Sequence, residues 1–70
     1  MTDKEFVVER YAAACLHVNS KGKVAILPAR AYVDAPLGRF CSTENGAWAS
    51  AANNIRNKES TRPSEIAGSG

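Results

Sequence analysis

The sequence predicts a small α+β domain: an N-terminal helix, a three-stranded antiparallel meander and a C-terminal amphipathic helix packed on the sheet. Three observations carry this. Behind a capping sequence, Phe6, Val7, Arg10, Tyr11 and Ala14 recur at helical spacing. From Ala14 the period changes to two, between clusters of turn-forming residues. Near the C-terminus Ala47, Trp48, Ala51, Ala52 and Ile55 return to a helical stripe.

Taken in order, Thr2-Asp3-Lys4-Glu5 has the form of a capping box, a hydroxyl followed three residues later by a carboxylate. The first helix is expected from Asp3 to Ala13, and Asp3, Glu5 and Glu9 read as solvated surface. Leu16 and Val18 alternate with Cys15 and His17 as in a half-buried strand. Asn19-Ser20-Lys21-Gly22 is a turn, with Gly22 free to take positive φ. Lys23 to Leu27 makes a second strand. Pro28 cannot donate to a ladder and so marks an edge, a bulge or a break.

Arg30 to Val33 resumes an extended pattern, Asp34 to Gly38 turns again, and Arg39-Phe40-Cys41 is a short last strand. Ser42 or Thr43 caps the second helix, and Glu44 lies at its positive dipole end. The opposite face of that helix carries Asn45, Ser50, Asn53, Asn54, Arg56 and Asn57. Residues 1–58 form the expected domain, and the Pro-interrupted polar stretch 59–70 is expected to be a disordered tail.

Seventy residues allow one domain with a small core. Its candidates are Phe6, Val7, Tyr11, Leu16, Val18, Val24, Ile26, Leu27, Tyr32, Val33, Leu37, Phe40, Trp48 and Ile55. So thin a core is a reason to expect a binding partner. The formal charge of +2 and the 44% apolar content are ordinary for a globular chain. No apolar run approaches the roughly 20 residues that span a bilayer, and the start of the chain lacks the pattern of a signal peptide. No membrane partner is expected, and the expected location is a cytosol. Cys15 and Cys41 are too few for a disulfide framework and read as small buried hydrophobes, with a single bridge as the alternative.

No catalytic set stands out. Cys15 and His17 share a strand face, and Cys41 could lie nearby, but a thiol nucleophile needs a positioned base and an oxyanion site as well. Zinc takes four nitrogen or sulfur ligands in a structural site, more than this chain offers. The glycines fit neither the P-loop nor the dinucleotide spacing. No enzyme, metal or cofactor is therefore expected. The basic residues suit binding better: Lys21, Lys23, Arg30 and Arg39 stand against the single carboxylate Asp34 between His17 and Phe40. With Tyr32 they form the candidate binding set, since Arg and Tyr are enriched at protein interfaces and Tyr can stack on a base.

The element order resembles the double-stranded-RNA-binding domain, and Leu37-Gly38-Arg39-Phe40-Cys41-Ser42 before an Ala-rich helix is similar to that family's last strand and final helix. The family grips phosphates with paired lysines where this chain has Thr43-Glu44-Asn45, and its first hairpin carries Gly-Pro-x-His where this chain has Asn19-Ser20-Lys21-Gly22. Both departures speak against RNA recognition in that mode. Ser-Thr-Glu-x-x-Ala-Trp-x-x-Ala-Ala-x-x-Ile, from Ser42 to Ile55, resembles small accessory proteins of bacteriophages. That resemblance implies a non-enzymatic module that binds and inhibits a host protein in the host cytosol, for example a bacterial defence component, as anti-CRISPR proteins do. The alternatives are a nucleic-acid-binding module using the basic hairpin and sheet, and a small homodimeric structural subunit.

Overall fold

A computed structural model describes residues 1–60 of the chain. The order is α1 (Asp3–Arg10), β1 (Cys15–Val18), β2 (Val24–Leu27) and α2 (Glu44–Ser60). Its class is α+β: two helices and a two-stranded antiparallel sheet.

Both helices begin as their cap residues dictate. The Thr2 hydroxyl accepts the Glu5 N–H at 3.1 Å, and the Glu5 carboxylate accepts the Thr2 N–H at 2.9 Å, completing the capping box. Thr43, not Ser42, caps α2: its Oγ1 accepts the Gly46 N–H at 3.0 Å. Helix α1 ends three residues before the expected Ala13, because Tyr11 leaves helical geometry at φ −133° and ψ 88°. A turn closed by Ala14 N–H on the Tyr11 carbonyl, at 2.9 Å, leads into β1.

The hairpin turn follows from Asn19 and Gly22. Asn19 Oδ1 accepts the N–H groups of Lys21 and Lys23, each at 2.9 Å, and Gly22 takes φ +79°. The result is a three-residue loop with glycine in the left-handed region, and it fixes the register of the strands. Cys15 pairs with Leu27, Leu16 with Ile26, His17 with Ala25 and Val18 with Val24.

The core is built where α2 meets α1 and β2. The whole predicted stripe Ala47, Trp48, Ala51, Ala52 and Ile55 is buried, together with Val7, Ile26 and Leu37. Alanines let the helix lie close, and Trp48, only 7% exposed, supplies the bulk. Trp48 Nε1 donates to the Glu44 carboxylate at 3.3 Å, so its one polar atom is satisfied. At the helix pair two guanidinium groups pack on the Phe6 ring, with Arg10 and Arg56 each 4.5 Å from its centroid. Arg56 also reaches Asp3 at 3.5 Å, and Arg10 binds Glu59 at 2.9 Å.

The expected three-stranded meander is not formed. Arg30 to Val33 lies in successive turns: the Tyr32 N–H donates to Ala29, and the Ala35 N–H to Tyr32. Prolines at 28 and 36 bracket this stretch, and neither can donate to a ladder that would extend it. The expected last strand, Arg39 to Cys41, is reduced to one bridge between Val24 and Cys41. Leu37 N–H reaches the Ile26 carbonyl at 2.7 Å, so Gly38, Arg39 and Phe40 together stand opposite Ala25. Two surplus residues interrupt the ladder.

Polar atoms of α2 hold them out. Ser50 Oγ accepts the Arg39 N–H at 2.8 Å, and the Asn54 side-chain amide donates to the Leu37 carbonyl. Gly38 is required at this seam, since a Cβ there would stand 2.6 Å from Ser50 Oγ and 2.7 Å from the Ser50 backbone. Helix α2 continues to Ser60, so it includes the first two residues assigned to the polar tail. The rest of that stretch lies outside the described residues.

Candidate functional site

Directly opposite residues of an antiparallel pair share a face, so the register sorts the hairpin's side chains. Leu16, Val18, Val24 and Ile26 point to the side on which α2 lies. Cys15, His17, Ala25 and Leu27 point to the other. On that second side Phe40 meets His17 edge-on, with ring centroids 6.2 Å apart. Cys41 pairs with Val24, so it lies on the α2 side and at the opposite end of β2 from Cys15. Both thiols are free and half-buried.

Leu16 and Val18 share the core face but not its cover. Helix α2 packs mainly on β2 and α1 and far less on the outer strand. Leu16 therefore remains 38% exposed and Val18 56%, although alternation alone places both in the core. Tyr32, Val33 and Phe40 are exposed too, against the same expectation.

Hydrogen bonding makes β1 the open edge. Val24 N–H and C=O both bond to Cys41, and the Ile26 C=O receives Leu37, so these groups point away from β1. At the turn, Asn19 N–H donates to the Lys23 carbonyl at 2.8 Å, which sets the alternation of the hairpin. Asn19–Lys23, His17–Ala25 and Cys15–Leu27 are thus its hydrogen-bonded pairs. Leu16 and Val18 fall between them, and both turn their N–H and C=O outward. Among the described residues none bonds to these four groups. Apolar side chains and unpaired backbone polar groups thus coincide at two residues, on a strand with no proline and no charged side chain to guard it.

The residues singled out from the sequence do not converge in this way. Lys21 and Lys23 lie at the hairpin turn, where the Lys23 ammonium donates to Ser42 Oγ at 3.4 Å. Arg30 and Tyr32 lie past the far end of β2, in the turns after Pro28. Arg39 lies between, its backbone tied to Ser50. The strand separates the two lysines from Arg30 and Tyr32, so the five are not one patch.

A groove of about 690 Å³ runs between α2 and the 38–41 segment, with Arg39, Ser50, Asn53, Asn54 and Asn57 among its walls. Two of those side chains already hold the segment in place, which makes the groove a packing seam. Of the α1 carboxylates, Asp3 meets Arg56, Glu9 meets Arg10 at 2.8 Å, and Glu5 closes the cap. The Thr2 N–H and hydroxyl hold the Glu5 carboxyl below its ordinary pKa of 4.5. No helix among the described residues is long and apolar enough to cross a membrane.

No protein-family model matches the chain, and comparison with curated proteins and with solved structures finds none significantly similar to it.

Proposed function

We propose that this chain is a non-enzymatic protein-binding module whose docking element is the open edge of β1. The observation that carries the proposal is the coincidence at Leu16 and Val18 of outward N–H and C=O groups with exposed apolar side chains. A strand added to such an edge gains affinity from main-chain hydrogen bonds and specificity from alternate side chains. One use proposed for the module, on the expectation raised by the pattern from Ser42 to Ile55, is the blocking of a host protein. The nucleic-acid reading has a smaller support: Lys21, Lys23, Arg30 and Arg39 have no carboxylate partner within the described residues. Their separation denies it a continuous phosphate track.

Site-specific photo-crosslinking in cells tests the proposal. A benzophenone side chain at position 18 is expected to capture a protein, and one at Val33, also apolar and exposed but outside β1, is not. Capture at position 33 with none at position 16 or 18 overturns it. The basic reading is checked by a mobility-shift assay: nucleic-acid binding abolished by Lys21→Glu with Lys23→Glu, and falling steeply with salt, would favour that alternative.

A further inference from the structure

Resting on the reading that the β1 edge docks a strand, we infer that its occupant is a second copy of this chain, paired β1 to β1 about a two-fold axis at His17. The outward groups form a set that the same set completes. Leu16 and Val18 are two residues apart, and each offers one donor and one acceptor. Placing Leu16 of one protomer opposite Val18 of the partner subunit turns both positions into hydrogen-bonded pairs. All the outward groups of both residues are then satisfied, and His17 faces its own copy at the intervening non-hydrogen-bonded position.

Side chains agree with that register. On the α2 face, Leu16 comes beside Val18 of the partner subunit, and the apolar surface begun by Val24 and Ile26 continues across the axis. On the other face the paired His17 rings are flanked by the Phe40 rings that already touch them. A two-fold axis at His17 sets that residue against its own copy and brings like side chains at the neighbouring positions to diagonal distance, so fixed charges near the centre would cost stability. Cys15 to Val18 carries no formally charged residue. The neutrality that leaves the edge unguarded against other strands is the condition self-pairing requires. Pairing also converts two separate two-stranded hairpins, each marginal without support, into one four-stranded sheet.

Sedimentation of the full chain over a micromolar to millimolar series tests this, with amide exchange at Leu16 and Val18 read on the same samples. A reversible dimer is expected, with both amides protected as it forms. Val18→Pro removes an N–H that the hairpin ladder does not use, and is expected to weaken dimerisation by roughly tenfold or more while the circular dichroism stays native. A second, register-specific variant pair guards against misfolding. Leu16→Glu and Val18→Lys each suppress the homodimer, and mixing the two restores a dimer, because the new carboxylate and ammonium then meet across the axis. A wild-type chain that stays monomeric throughout, with both amides exchanging freely, overturns the inference. So does a dimer that survives Val18→Pro and both charged variants. In either case, photo-capture of a different protein at position 18 leaves the docking edge standing and rejects only the second copy as its occupant.

Discussion

Strands β1 and β2 are the same length and share a turn, yet they occupy different environments. In β2, both edges are hydrogen-bonded, to β1 on one side and to Leu37 and Cys41 on the other. Ala25, Ile26 and Leu27 are buried. In β1 one edge is unpaired, and the two side chains on the core face are exposed. Composition does not account for the contrast, since Leu16 and Val18 are as apolar as their partners Ile26 and Val24. For the face that carries Leu16, Val18, Val24 and Ile26, helix α2, seated mainly on β2 and α1, does. Burial on that face is decided by where a single helix lands, and the strand it largely misses becomes the surface available for work.

The sharpest way to break that comparison is a pair of truncations on opposite residues of one face. Ile26→Ala, in the covered strand, is expected to destabilise by about 2–5 kcal/mol, enough to unfold much of so small a domain. Leu16→Ala, its cross-strand neighbour, is expected to cost under about 1 kcal/mol in the dilute monomer, because much of that side chain is already in water. Urea titration of both variants measures the difference. Equal losses would mean that β1 is covered after all.

The next test concerns what holds β2's far edge. Gly38→Ala forces a methyl against the Ser50 backbone, which cannot swing aside as a side-chain terminus can. A loss of about 1–3 kcal/mol is expected. Ser50→Ala removes the acceptor for the Arg39 N–H and is expected to cost about 0.5–1.5 kcal/mol. In both variants the amide protection of Cys41, which donates to Val24, should fall before that of Ala25. If Cys41 stays as protected as the core, the seam is not what closes the edge.

Local rules made part of this legible in the sequence. The α2 stripe could be read because five apolar residues at helical spacing have one way to be buried together, and Thr2 with Glu5 could be read because a capping box is local. Alternation in β1 also gave the right phase, with Leu16 and Val18 on the core side. It could not show that the helix would miss them, because the reach of α2 is a tertiary fact. The third strand failed for a related reason. Arg39 to Cys41 has the side chains of a strand, but Ser50 and Asn54, read only as a polar helix face, pull out two surplus residues. Their i, i+4 spacing was the one available signal that this face holds something. The basic set could have been divided from sequence alone, since the expected strand from Lys23 to Leu27 already puts Lys21 before it and Arg30 beyond it.

The smallest expected effect sharpens the comparison from the helical side, because α1 supports β2's core through Val7 and none of its residues bonds to the backbone of Leu16 or Val18. Glu5 is held below its ordinary pKa of 4.5 by the Thr2 N–H and hydroxyl, so folding favours its charged form. A lowered folded value means that this stabilisation is fully present above the unfolded value and fades as pH falls through the folded one. Glu5→Gln keeps a side chain able to close the capping box but cannot ionise. The thermal midpoint of the wild type should therefore exceed that of Glu5→Gln near neutrality. The gap should narrow as pH drops below 4.5. Self-association, read by sedimentation at neutral pH, should be the same for both chains, because the Glu5 side chain bonds within its own helix cap and not to β1. A Glu5→Gln variant with weakened self-association would tie the edge to the helical core and remove the division between the two strands.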